Sequence, residues 1–137
     1  VYVTGYTEVG GFPVTSGAFQ TKYGGGDSDA FVMKIDPITA TTITLASSPN
    51  PSSQGEPVTF TAVVASALGP PPDGELVSFM KGARVLGTGT LNGGSATFTT
   101  TTLKIGTTAV KAVYGGDSNF AGSTSKVVKQ VVEKAVE

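Results

Sequence analysis

The stretch VTFTAVV, residues 58–64, alternates apolar and polar side chains with a period close to two. Successive side chains of a β-strand point to opposite faces, so this alternation predicts a strand with one buried face. The residues on the predicted buried face are Val58, Phe60, Ala62 and Val64. Pro57 precedes the stretch, and the proline-rich segment GPPPDG at residues 69–74 follows it and cannot continue a hydrogen-bonded ladder. The pattern therefore predicts one short, bounded strand.

Six more segments of the same kind lie on both sides of this strand. They contain Ile43 and Leu45, Val77 and Phe79, residues 85–91, Ala96 and Phe98, residues 110–114, and residues 127–132. Turn signals separate them about every 8–12 residues, which is typical of an immunoglobulin-like sandwich. Asn92-Gly93 predicts a tight hairpin. The valine pairs near the C-terminus favour a strand over a helix there. We therefore expect an all-β, seven-stranded antiparallel β-sandwich.

The composition argues against several functional classes. A net charge of −1 with lysines scattered along the sequence gives no basic patch for nucleic acid. The apolar runs are a few residues long, so we expect no membrane insertion. The chain has no Cys and no His, which removes thiolate zinc sites and the commonest general base. We predict that the chain is not an enzyme, has no catalytic, cofactor-binding or metal residues, and needs no cofactor.

The composition changes near Asp36-Pro37 and divides the chain. Residues 1–36 form a glycine- and aromatic-rich segment with a β-hairpin-like pattern, residues 37–42 a linker, and residues 43–137 the sandwich. The aromatic residues of the first segment are Tyr2, Tyr6, Phe12, Phe19, Tyr23 and Phe31. An isolated hairpin is marginally stable in water, so these side chains require a partner surface.

Residues 41–135 resemble the bacterial Ig-like repeat domains found in tandem arrays on secreted proteins. The resemblance rests on TLASSPNPS (44–52), GEPVTFTA (55–62), VLGTGTL (85–91) and AVYGGDSNF (112–120), which occur in the order of that family. It implies a structural role outside the cell, with the last strand running into a following repeat.

Residues 1–36 resemble a different family, the SBBP repeat of β-propellers. The matching segments are VYVTGYT (1–7), FPVTSGAFQT (12–21) and GGGDSDAFVMK (24–34). A propeller is built from several four-stranded blades, whereas this segment has length for two or three strands. We therefore interpret it as a partial repeat.

Four groups of residues are candidates for a site. Asp27-Ser28-Asp29 and Asp117-Ser118-Asn119 carry closely spaced oxygen ligands for calcium, but Gly and Asx residues in this arrangement are more typical of turns. Tyr114 is a candidate for the tyrosine corner of Ig folds, with its hydroxyl bonded to the chain. Lys111 and Lys129 suggest a Lys–Asn crosslink, with an ordinary solvent-facing lysine as the favoured interpretation.

The leading hypothesis is a stalk, spacer or adhesion scaffold of a secreted or cell-surface bacterial protein. The alternative is a subunit of an extracellular filament that assembles by donating a β-strand from residues 1–36. A third hypothesis is a module that binds a glycan or a host protein. The expected partners are neighbouring domains or subunits, in contact through strand edges. The chain begins at Val1 without a signal peptide, so we interpret it as processed or excised, and export is implied by the resemblance alone.

Overall fold

The computed structural model describes residues 1–11, 13–18 and 20–136. It divides into two compact units, Val1–Pro37 and Ile38–Glu137. The first unit holds two strands, β1 (Tyr2–Thr7) and β2 (Asp29–Lys34), which pair antiparallel from Tyr2 opposite Lys34 to Thr7 opposite Asp29.

The second unit is a sandwich of two sheets. Its strands are β3 (Thr41–Ser48), β4 (Ser52–Ser53), β5 (Val58–Ser66), β6 (Leu76–Lys81), β7 (Arg84–Thr90), β8 (Ser95–Thr100), β9 (Gly106–Gly116), β10 (Ala121–Thr124) and β11 (Val128–Glu133). One sheet has the order β3-β5-β8, and the other has the order β4-β11-β9-β6-β7 with β10 also on β9. The predicted all-β, Ig-like sandwich is confirmed.

The seven predicted strands are all present, and the structure adds two short strands that were not predicted, β4 and β10. β3 pairs with β5 in one sheet, whereas β4 pairs parallel with β11 in the other. The chain changes sheets through Ser48-Pro49-Asn50-Pro51, where both X-Pro bonds are cis. β10 and β11 pair along one edge of β9, interrupted at Ser125, whose Oγ accepts from the Ala112 amide. The parallel β4–β11 pair and the parallel bridge between Thr39 and Phe120 depart from the predicted antiparallel arrangement.

Two local predictions need correction. The structure places the tight hairpin at Gly93-Gly94, one residue later than predicted, because both central residues have positive φ (58° and 82°) and Asn92 pairs with Ser95. The predicted linker at 37–42 is shorter, since the backbone of Thr39 bonds Asn119 and Ala121 and β3 begins at Thr41.

The core lies between the two sheets of the second unit. It consists of Ile43, Val58, Phe60, Ala62, Val64, Val77, Phe79, Leu91, Ala96, Val110, Ala112 and Tyr114. Phe60, Phe79 and Phe98 pack together, with ring centroids 5.8–6.5 Å apart. The face predicted from the alternation in residues 58–64 is the face that is buried.

Candidate functional sites

The DSN turn at Asp117 is held by its own backbone. Asp117 Oδ1 accepts hydrogen bonds from the amides of Asn119 (2.7 Å) and Phe120 (2.6 Å). These two bonds hold the pKa of the Asp117 carboxyl below its ordinary value, because they stabilise the charged form. The carboxylate therefore acts as a turn cap, which is the interpretation that the sequence favoured over calcium.

In the DSD segment at Asp27-Ser28-Asp29, the bonded carboxylate is that of the third residue, and its donors precede it in the sequence. The Asp29 carboxylate accepts from the Gly24 amide and from Gln20 Nε2 (3.1 Å). Within residues 1–11, 13–18 and 20–136, no three His, Cys, Asp or Glu side chains converge in a way that would hold a metal ion. The two Asp-rich turns belong to separate units.

Tyr114 is buried in β9 (2% exposed), but its hydroxyl does not bond the backbone as a tyrosine corner would. It donates to Oε2 of Glu75, the residue before β6. Burial and the adjacent carboxylate raise the pKa of the Tyr114 hydroxyl above its ordinary value. The sequence identified Tyr114 as a fold residue and gave the wrong partner, because Glu75 is 39 residues away.

The two strand lysines lie on the neighbouring strands β9 and β11, where Lys129 stands opposite Ala109. Lys111 stands opposite Met80 in the β6–β9 pair, and Lys129 is exposed on β11. Asn50 is held to the backbone of β11: its Nδ2 donates to the Lys129 carbonyl (2.9 Å) and its Oδ1 accepts from the Val131 amide (3.0 Å). The asparagine amide thus extends the ladder where the first strand changes sheets.

The structure describes four of the six aromatic residues of the first unit. Phe12 and Phe19 lie outside the described residues, and Phe31 and Tyr23 are half-buried. Tyr2 and Tyr6 are each 70% exposed and, by register, share one face of the β1–β2 sheet with Val32. An open groove of about 570 Å³ in this unit is lined by Thr7, by residues of the connection between the strands and by all six residues of β2.

The sandwich carries a second groove of about 360 Å³ that the sequence did not reveal. Lys81, Arg84 and Lys104 line it, together with apolar and threonine side chains. The three cations come from β6, β7 and the connection before β9, so they appear scattered in the sequence. The fold collects them at one place, which corrects the expectation that the lysines form no cluster.

The two-sheet architecture defines an immunoglobulin-like β-sandwich module. A model of the bacterial Ig-like domain (group 3) family matches residues 44–133, and the chain belongs to that family. Among solved structures it is similar to the fibronectin(III)-like modules of Clostridium thermocellum CbhA, with a TM-score of 0.52 and 23% identity over 69% of this chain and 99% of that one. No curated protein matches the chain. Modules of these two kinds are typically non-catalytic.

Proposed function

We propose that this chain is a structural or interaction module, serving as a stalk, spacer or adhesion scaffold of a secreted or cell-surface bacterial protein. Membership of the bacterial Ig-like family and the likeness to a fibronectin(III)-like fold support an extracellular module. The described residues contain no helix that is long and apolar enough to cross a membrane.

The path of the chain through the sandwich is the observation that carries the proposal. Thr41 at the start of β3 lies opposite Ser66, whereas Ser48 at its end lies opposite Thr59. β11 ends beside Gly106, at the same end of the sandwich as Ser48. The chain therefore enters the sandwich at one end and leaves it at the other, as a spacer in a linear array requires.

This geometry gives a length for each module. β9 has 11 residues, and a rise of about 3.3 Å per residue makes the sandwich roughly 35 Å long. Small-angle X-ray scattering measures the maximum dimension of a protein in solution. We expect this dimension to be roughly 35 Å larger for two copies of residues 38–137 joined in tandem than for one copy. A tandem pair that folds back on itself and gains only a small fraction of this length would contradict the spacer role.

The extracellular location is tested on cells of the source organism. We expect brief protease treatment of intact cells, or analysis of the culture medium, to release peptides of this chain while a cytoplasmic control protein stays intact. Recovery of the chain only after lysis, together with the cytoplasmic control, would contradict secretion.

A filament subunit is the second candidate, and the two-stranded sheet of the first unit favours it. The β1–β2 sheet leaves an outer edge on each strand within the described residues, and such edges accept or donate strands between molecules. Light scattering of the full chain against residues 38–137 tests this function. Concentration-dependent assembly that requires residues 1–37 supports it, and a monomer at high concentration rejects it.

The first unit also supports the proposal of a partial SBBP-type repeat. β1 and β2 fall within the two segments that carry the resemblance, VYVTGYT and GGGDSDAFVMK. We expect amide-exchange protection of Tyr2–Thr7 to rise when further copies of the repeat are fused in front of it. Unchanged protection would argue against a propeller blade.

A glycan- or host-protein-binding module is the weakest candidate. The exposed pair Tyr2 and Tyr6 on one sheet face is the feature that favours it. Binding to a polysaccharide panel that disappears in a Tyr2→Ala, Tyr6→Ala double variant would support this function, and absence of binding to any member would remove it.

A further inference from the structure

The basic groove of the sandwich has unpaired charge. Lys81, Arg84 and Lys104 are exposed, and none of the carboxylates among residues 1–136 that the structure describes lines the groove. In the part of the chain that the structure describes, the one ion pair joins Lys34 and Asp36, far from this groove in the sequence. Arg84 is the only arginine in the protein. The groove therefore concentrates three cations without an internal counter-charge.

The floor of the groove is apolar and follows from how the two sheets meet. β7 and β8 are edge strands of different sheets. Gly89 and Gly87 let them approach closely, since a Cβ on Gly89 would lie 2.4 Å from the Thr97 carbonyl oxygen and one on Gly87 would lie 2.1 Å from Phe98 Cε2. Between Gly87 and Arg84, the residues of β7 have side chains. The groove lies in this part of the sandwich and is lined by Leu86, Phe98 and Leu103.

Charge and floor together select one kind of ligand. Cations at the rim suit carboxylates, and a guanidinium binds a carboxylate in a two-bond fork. An apolar floor between two strand edges suits the alternating side chains of an extended peptide. The described residues of the lining include no Asp, Glu, Asn, Gln, Tyr or Trp, which are the side chains that bond or stack on neutral sugars. A net charge of −1 for the whole chain disfavours nucleic acid.

We propose that this groove binds an extended acidic peptide segment of a partner protein, with carboxylates at Lys81, Arg84 and Lys104 and apolar side chains on the floor. The proposal goes beyond the spacer role and rests on the groove alone. The peptide-binding test therefore remains valid even if the scattering experiment on tandem modules contradicts the spacer role.

The test measures binding of fluorescent peptides to the full chain by anisotropy. The probe is a peptide of about ten residues that alternates Asp and Val, and the comparison peptides replace either Asp by Asn or Val by Ser. We expect saturable binding of the Asp-Val peptide, weakened by about tenfold or more between about 50 mM and about 500 mM NaCl. The Asn-Val peptide should not bind, and the Asp-Ser peptide should bind less tightly than the Asp-Val peptide.

A matched pair of variants locates the site. The triple variant Lys81→Gln, Arg84→Gln, Lys104→Gln should lose about tenfold or more in affinity for the Asp-Val peptide. The control Lys111→Gln, Lys126→Gln, Lys129→Gln removes the same charge outside the groove and should lose less than about threefold. Circular dichroism melting of both variants confirms that the sandwich is intact.

Four outcomes would overturn the proposal. They are no binding of the Asp-Val peptide at about 1 mM; equal losses in the two triple variants; binding of polygalacturonate, but not of the peptide, at these cations; and low-salt self-association of the chain through these cations in place of peptide binding. The third outcome would assign the groove to an acidic polysaccharide, and the fourth to a second copy.

Discussion

The two units of this chain use similar strand patterns and differ in what the strands bury. All thirteen buried hydrophobic residues of the described chain lie between Ile43 and Val132 in the sandwich. The β1–β2 sheet of the first unit instead exposes Tyr2, Tyr6 and Val32 at 70–71%. Both regions have aromatic and β-branched residues at strand spacing, so β-strand propensity does not explain the difference in burial between the two units.

The difference is the second layer. A sheet buries one face only when another sheet or helix packs on it, and the sandwich supplies a partner sheet within its own sequence. The described residues of the first unit form only the strands β1 and β2, with no second sheet or helix to cover them. Stability should therefore be concentrated in the sandwich, and the following predictions test that concentration.

Phe60→Ala should have the largest effect, destabilising the sandwich by about 3–5 kcal/mol. The Phe60 ring is fully buried and packs 6.4–6.5 Å from the rings of Phe79 and Phe98. Tyr6→Ala in the first unit should change unfolding by less than about 0.5 kcal/mol. Urea denaturation measures both, and equal effects would show that the two units share one core.

Gly87→Ala should cost about 1–3 kcal/mol. The new methyl group would lie 2.1 Å from Phe98 Cε2, in a ring packed 5.8 Å from that of Phe79. Gly5→Ala makes the corresponding contact in the first unit, 2.8 Å from Phe31 Cε1. The same urea experiment should find a smaller effect for Gly5→Ala, and a larger one would reverse the comparison.

Gln130→Ala should cost about 1–2 kcal/mol by removing hydrogen bonds from a buried site. Gln130 is fully buried, and its Nε2 donates to the Pro49 carbonyl (2.9 Å) and to Ser52 Oγ (3.2 Å). These bonds fasten the sheet-changing segment of the first sandwich strand to β11. The neighbouring exposed change Lys129→Ala is the control, and a thermal melt that ranks Lys129→Ala as the more damaging would refute this role.

Asp117→Asn should have the smallest effect, and it should depend on pH. The pKa of Asp117 in the folded protein lies below its ordinary value of 3.8. The charged carboxylate therefore stabilises the sandwich above about pH 4, and this stabilisation is lost as the pH falls through the folded-state pKa. The melting temperature of the wild type should exceed that of the variant at pH 7, and the gap should narrow towards pH 2. Asp27→Asn, in the other unit, should leave the sandwich transition unchanged at both pH values.

The alternation of single residues was enough to predict most strands. Val58, Phe60 and Val64 are buried where a period of two places them, because strand geometry alone sets which face a side chain occupies. Asp117 was likewise predictable as a turn cap, since its hydrogen-bond donors are two and three residues away.

What the sequence by itself determined is therefore local: the all-β class, most strands with their buried faces, and the turn capped by Asp117. The tertiary structure decided the contacts between distant segments. The Tyr114 hydroxyl donates to Glu75, and Gln130 donates to the segment that crosses between the sheets. Lys81, Arg84 and Lys104 line one groove. A period of two fixes the face of a side chain and leaves open which strand lies beside it. Strand order and the packing of two sheets make that choice.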